Sequence, residues 1–192
     1  MSGLRKLLMD NVKEKTKEEL IIPDRYVVFD LETTGFSPEY AEIIEIGALR
    51  MENGSEKDRF QSYVKPLRGI PPRITAITGI TNKDTENAPY IDEAICDFLS
   101  FIDDDILVAH NAAFDCRFVC AVCSYLGFRF GNEVVDSLRL ARKYIKAENY
   151  KLETLKRSLD IRLPSHNAAD DCTVAAMVVE HCRKINLKLK NK

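Results

Sequence analysis

No stretch of this sequence approaches the ~20 consecutive apolar residues that a membrane-spanning helix needs, so no membrane role is expected. The apolar run Leu7-Leu8-Met9 near the start is too short for the core of a secretory signal. Charge of neither sign dominates. Against 30 acidic residues stand 28 basic ones, and a formal net charge of −2 excludes a global basic field of the kind that gathers polyanions. Internal repeats and low-complexity segments are absent, and no second domain is evident. Six cysteines without an extracellular context read as reduced thiols, which places the chain in the cytoplasm.

What is present is ordinary for a globular chain. Of 192 residues, 45% are hydrophobic and 30% charged, enough for one domain with a real core. The expected division is a charged helical lead-in over residues 1–24, a single domain over 25–186 and a basic tail over 187–192. The informative stretch is FDLETTG, residues 29–35, preceded by Tyr26-Val27-Val28. It reads as a strand ending in acids. Side chains alternate along a strand, so Tyr26, Val28, Asp30 and Glu32 share one face, with the two carboxylate-bearing positions roughly 7 Å apart at ~3.4 Å per residue. Neighbouring carboxylates raise each other's pKa unless a cation sits between them. On the strand alone, either a solvated strand end or a site for a hard, oxygen-seeking divalent cation satisfies the pattern.

The rest of the chain supplies more acids. Residues 43–49 and 58–64 read as strands joined by an Asn53-Gly54 turn, and strands so closely connected are antiparallel. Residues 66–87 are expected to form a long irregular connection, with ITAITGIT at its centre. Pro89 opens a helix whose apolar stripe is Ile91, Ala94, Ile95, Phe98 and Ile102, and Asp103, Asp104 and Asp105 read as a solvated loop after it. A buried strand over 106–109 leads to a helix over 112–126, capped by Gly127. On that helix Asp115 lines up with Phe118, Val119 and Val122, an alignment that is costly for an acid unless it is paired or metal-bound. A short strand at 134–135 and helices over 137–146 and 152–159 follow. Arg139, Arg142, Lys143, Lys146, Lys151, Lys156 and Arg157 make this the one local positive patch, either a solvated face or an attraction for phosphate. The last helix runs from His166 to about residue 184. Asp171 lines up with Val174, Ala175 and Val178; Asp170 is the weaker case, and periodicity alone does not decide between them.

Four acids from three segments, Asp30, Glu32, Asp115 and Asp171, suit a two-metal phosphoryl-transfer site. FDLETTG resembles the first motif of the DEDD exonucleases, the epsilon-like proofreading 3′–5′ group. HNAAFDCRF (110–118) resembles their second motif, and HNAADD (166–171) the HxAxxD third motif of the histidine branch. ITGIT (77–81) and VVDSLRLARK (134–143) also look like this group. The resemblance implies a ribonuclease H-like α/β fold: a mixed five-stranded sheet, three antiparallel strands then two parallel, flanked by helices. It implies that Asp30, Glu32, Asp115 and Asp171 hold two Mg²⁺ or Mn²⁺ ions and that His166 is the general base. The backbone from Leu31 to Thr33 and the ring of Phe114 would lie near the terminal nucleotide, with Thr33 and Asn111 in support. The implied substrate is a nucleic acid with a free 3′ end, DNA before RNA, and a DNA polymerase is an admissible partner. Cys172 follows Asp171 where the family usually has alanine.

Three other readings compete with this one. Cys116, Cys120 and Cys123 have the C-x3-C-x2-C spacing of radical iron–sulfur enzymes, but they fall within a helix among Phe118, Val119 and Val122 and read as buried thiols. A non-catalytic nucleic-acid-binding module would have no need of all four acids and His166. An RNA-trimming exoribonuclease would share the chemistry, and the contacts to a 2′-OH that separate the two are not legible in a sequence.

Overall fold

The computed structural model describes residues 22–163 and 167–190. Residues 1–21 of the expected lead-in, the segment 164–166, which includes His166, and residues 191–192 lie outside the described residues. The chain runs β1 (Arg25–Thr33), β2 (Ile43–Glu52), β3 (Ser55–Tyr63), α1 (Pro72–Thr78), α2 (Ile91–Ile102), β4 (Leu107–Ala109), α3 (Ala113–Leu126), β5 (Val134–Asp136), α4 (Ser137–Tyr144), α5 (Leu152–Ser158) and α6 (Ala168–Lys190). The five strands form one sheet in the order β3-β2-β1-β4-β5. Pairings β1–β2 and β2–β3 are antiparallel, and β1–β4 and β4–β5 are parallel. This is the expected ribonuclease H-like sheet.

Local chemistry explains the first hairpin. Glu52 pairs with Ser55 across a two-residue turn, and both Asn53 (φ 51°) and Gly54 (φ 75°) are left-handed there. Those angles match the right-handed twist of the flanking strands, so β2 and β3 close with minimal connection.

Period-two alternation sorts β1 onto two cores. Val27, Phe29 and Leu31 pack with Ala94, Ile95 and Phe98 of α2 and Phe118 and Val119 of α3 on one face. Tyr26 and Val28 pack with Cys172, Ala175, Val178 and Val179 of α6 on the other. Asp30 and Glu32 continue the α6 face. β1 therefore lies at the centre of the sheet, covered on both sides, with its acids at the C-terminal end of the face that α6 covers.

The fit of α6 against the sheet depends on Gly47. A Cβ there would stand 2.5 Å from the Ala168 carbonyl carbon and 2.7 Å from the Ala169 nitrogen. These are backbone atoms, which cannot swing aside. At the far end, Arg183 donates to Asp24 Oδ1 at 2.8 Å and to the carbonyls of Ile22 and Pro23, while Tyr26 Oη donates to Glu180 Oε1 at 2.7 Å.

Three expectations are corrected here. The connection over 66–87 is not irregular throughout: α1 lies within it, begun by Pro72 in its first turn and ended by Gly79 at φ 76°. Ile74 of α1 packs with Ile44, Ile70 and Ile80 in a small core of its own. Asp105 is no solvated loop acid. It accepts from Arg25 Nε at 2.7 Å and Arg50 Nε at 3.0 Å, tying the edge of α2 to β1 and β2. The last helix runs on through Lys190, because its apolar stripe ends before its helix-forming residues do.

Replacing Gly47 with alanine is expected to lower unfolding free energy by about 2 kcal/mol or more, the usual scale for overpacking against fixed atoms. Urea denaturation followed by circular dichroism measures it, and a loss under about 0.5 kcal/mol would contradict the close approach.

Candidate active site

The carboxylate oxygens of Asp30, Glu32 and Asp171 lie within 4.8 Å of one another. Two come from β1 and the third from the first turn of α6. The ~7 Å strand spacing anticipated from the sequence is thus closed by side-chain reach. Asp115 enters from the opposite side of the sheet, on the first turn of α3, and is 2% exposed. It stands outside that trio, and its charge is felt at Asp30.

The helix start settles which acid of the pair 170–171 faces the sheet edge. Asn167 and Asp170 bond reciprocally: Asp170 N–H donates to Asn167 Oδ1 and Asn167 Nδ2 to Asp170 Oδ2, both at 2.7 Å. Asn167 thus caps the helix through the N–H of Asp170, three residues on, and its own side-chain amide holds the Asp170 carboxylate. Asp170 is consumed by the cap, and Asp171 is left on the inward face.

Burial works against the charges of Asp30, Glu32 and Asp115. It pushes Glu32 from an ordinary value near 4.5 up to about 7, with Glu45 and Asp171 adding repulsion. Asp30 is pushed well above the carboxylate range, first by burial and then by Asp115, Glu32, Asp171 and Glu45. Asp115 is also raised by burial, against which its own backbone amide and that of Leu31 pull it down. The charged groups that act most strongly on Asp30 and Glu32 are other carboxylates. Three converging carboxylate oxygens are an all-oxygen donor set that fits a hard divalent cation.

Supporting residues have distinct places. The Leu31 side chain is buried in the core with α2 and α3, so Leu31 meets the acidic end by its backbone alone. Thr33 is buried and donates from Oγ1 to the Gly35 carbonyl at 2.7 Å, holding the turn after β1. Phe114 is half-buried beside Phe118, ring centroids 5.1 Å apart. Asn111 is exposed and adopts φ 65°, turning the chain from β4 into α3. Its N–H donates to Asp136 Oδ1 at 3.0 Å. Asp136 also caps α4 through the Leu138 N–H. His110, beside Asn111, is a half-buried clamp. Its Nε2 lies 2.9 Å from the Tyr150 carbonyl, which can only accept, so Nε2 carries the hydrogen and Nδ1 accepts from Ser137 Oγ at 2.9 Å. Burial lowers its pKa and keeps it neutral.

With this geometry in place, comparison with known proteins is decisive. The chain matches the exonuclease family RNase_T over residues 27–179. The chain belongs to that exonuclease family. Among curated relatives, the PolC-type DNA polymerase III of Clostridium perfringens is 40% identical over 159 residues, 82% of this chain. That of Bacillus subtilis is 37% identical over 173 residues, 87% of this chain. The chain spans only 11% and 12% of those two proteins. Among solved structures, Exonuclease X in complex with 5′ overhanging duplex DNA superposes with a TM-score of 0.68 at 24% identity, covering 84% of this chain and 93% of that one. E. coli Exonuclease I in complex with a dT13 oligonucleotide gives 0.76 at 16% identity, covering 88% and 43%. At those identities the two establish the exonuclease fold.

Several residues packed around the acidic trio were not singled out in the sequence. Glu45, Gly47 and Arg59 lie on β2 and β3, and Asn167 precedes α6. Arg59 donates to Thr173 Oγ1 at 3.1 Å and to the Ala169 carbonyl at 3.4 Å. The signal available for Glu45 was its polarity within the apolar run IIEIGAL. The positive patch is smaller than expected, because Lys156 is buried with its Nζ 4.0 Å from Glu153. Cys116 and Cys123 are buried and Cys120 half-buried, all as free thiols of α3. Cys172 fits its place, with Sγ 3.4 Å from the Gly47 carbonyl.

These shifts fix a pH dependence. An acid whose folded pKa is raised keeps a proton that the unfolded chain has released, so its contribution falls as pH rises between the two values. For Glu32 that window runs from about 4.5 to about 7, and Asp30 and Asp115 extend it upward. The Tm of the metal-free protein is expected to fall between about pH 5 and about pH 8, Glu32→Gln to flatten that slope, and added Mg²⁺ to restore the loss. A metal-free Tm that climbs through this window would refute the assignment.

Proposed function

We propose that the chain is a metal-dependent 3′–5′ exonuclease that releases nucleoside monophosphates from a free 3′ end of DNA, in proofreading or repair. The observation that carries this reading is the convergence of Asp30, Glu32 and Asp171 within 4.8 Å, on a chain of the exonuclease family. Mg²⁺ or Mn²⁺ fits the all-oxygen donor set. When bound, a pair of such ions supplies an attacking water acidic enough to ionise near neutral pH and stabilises the departing 3′ oxygen.

The chain's own residues do the rest. Asp30, Glu32 and Asp171 converge their oxygens from two elements, and Asp115 adds a fourth carboxylate from α3. His166, five residues before Asp171, accepts the proton of the attacking water, a role suited to a histidine working near its own pKa. The ring of Phe114 takes the face of the terminal base by stacking, without sequence readout. The backbone of Leu31 and the turn held by Thr33 line the adjacent wall, and Asn111 stands at the mouth of α3. The exposed cations Arg139, Arg142, Lys143, Lys146, Lys151 and Arg157 attract the phosphate backbone.

DNA is favoured over RNA because the solved neighbours named above were captured with DNA. A DNA polymerase is the natural working partner, since the curated relatives are polymerases that contain this segment. No described helix is long and apolar enough to cross a membrane. A reducing compartment such as the cytoplasm suits six free thiols.

Asp30→Asn is expected to abolish Mg²⁺-dependent digestion of 3′-labelled single-stranded DNA while preserving the circular dichroism spectrum. His166→Ala should lower kcat by roughly 10²–10⁴ and remove the rising limb of the pH–rate profile, the usual share of a general base. Closed circular single-stranded DNA should survive, since it has no end. Digestion of the circle, or of linear DNA in excess chelator, would overturn the reading.

A further inference from the structure

Glu45 is 0% exposed, yet it is a carboxylate in the middle of the apolar strand β2. It lies directly across the β1–β2 ladder from Glu32. Residues opposed in this way project from the same face, and like charges so placed destabilise a sheet. A residue retained there for packing alone would be apolar. Both of its oxygens are instead occupied. Oε1 accepts from Gln61 Nε2 at 2.7 Å, and Oε2 accepts from the Ala168 N–H at 3.2 Å. Ala168 is the first residue of α6, whose first free N–H groups seek an acceptor and favour negative charge.

Two further ties bind the same two turns of the helix. Gly47 leaves room for the Ala168–Ala169 backbone and accepts from Cys172 Sγ, while Arg59 holds the Ala169 carbonyl and Thr173. Between these ties sits Asp171. Its distance from Asp30 and Glu32 is thus set by how far the helix start stands above β2.

We propose that Glu45 is a positioning residue: its side chain spans from β2 to the Ala168 amide and fixes the height at which α6 presents Asp171 to the β1 acids. This rests on the reading of the acids as metal-holding groups. Glu45 is not a ligand on this account, since its oxygens are committed and it lies outside the trio. What matters is the reach and the acceptor, not the charge. Outer groups that orient metal-holding residues commonly govern 10–100-fold of metal affinity or activity.

Two substitutions separate these properties. Glu45→Gln keeps the length and one acceptor oxygen but removes the charge. The Gln61 amide can flip to offer its oxygen to the new NH₂ group. Glu45→Asp keeps the charge but is one methylene too short to reach both partners. Three quantities are read on the full chain. They are deuterium uptake by the first turn of α6 without metal, the Mn²⁺ dissociation constant by calorimetry, and kcat on 3′-labelled single-stranded DNA. Glu45→Gln should keep the wild-type deuterium uptake and, because it also removes a charge that acts on Glu32, stay within a few-fold of wild type in Mn²⁺ affinity and kcat. Glu45→Asp should raise deuterium uptake and weaken Mn²⁺ binding by about 10-fold or more.

If Glu45→Gln is as inactive as Asp30→Asn while its helix stays protected, Glu45 acts through its charge or as a ligand, and the positioning role is wrong. If Glu45→Asp matches wild type in uptake and Mn²⁺ affinity, the span has no such role, and the proposal again falls. If wild type itself neither binds Mn²⁺ nor degrades DNA, the functional reading of the acids falls first, and the positioning role falls with it.

Discussion

Repulsion among crowded, half-buried carboxylates is the constraint that the rest of this structure answers to. Asp30, Glu32 and Asp171 bring their oxygens within 4.8 Å, and Glu45 lies behind them. Burial and the neighbouring carboxylates push Asp30 and Glu32 toward protonation. Such a cluster persists only where its surroundings over-determine it. The central position of β1 supplies that: hydrogen-bonded to β2 on one side and β4 on the other, and covered on both faces, it cannot yield to the repulsion.

The two faces of the sheet deliver different acids. α6 lies on one face and brings Asp171 in line with Asp30 and Glu32. α3 packs on the other and brings Asp115 around the C-terminal ends of β1 and β4. Both helices place the acid in their first turn, where the helix dipole favours negative charge. The dipoles therefore offset part of the repulsion that the fold creates.

The acids themselves were legible because each breaks a pattern. Asp30 and Glu32 end an apolar face, and Asp115 and Asp171 lie on apolar stripes. The sheet order was legible because turn chemistry and connection length constrain it, as at Asn53-Gly54. Helix α1 was not, because seven residues within a stretch of prolines and threonines carry too weak a period. Asp105 was misread because its partners, Arg25 and Arg50, are 80 and 55 residues away. The choice between Asp170 and Asp171 required the cap: periodicity sees a stripe, whereas Asn167 decides which acid is spent on the helix terminus. Glu45 sits in a strand whose apolar neighbours hide it, and its significance comes from Ala168, 123 residues on. Local patterns mark where charge is out of place; the partners that make it tolerable are distant in sequence.

A single rigid element then links distant parts of the chain. α6 is fixed at its start by Glu45, Gly47 and Arg59, and near its end by Glu180 with Tyr26 and Arg183 with residues 22–24. Both anchor points lead to β1: the first to its acidic end through β2, the second to its beginning. Because α6 is continuous over 23 residues, slack at either anchor would tilt Asp171 relative to Asp30 and Glu32. Of the ion pairs at Arg183, the one with Glu180 is shielded, at 17% and 14% exposed, so salt screens it less than the Arg183–Asp24 pair, whose aspartate is 81% exposed. The geometry of the acids is therefore held from both ends of the same strand–helix pair, and the far end, remote from the reacting atoms, contributes to where the third carboxylate stands.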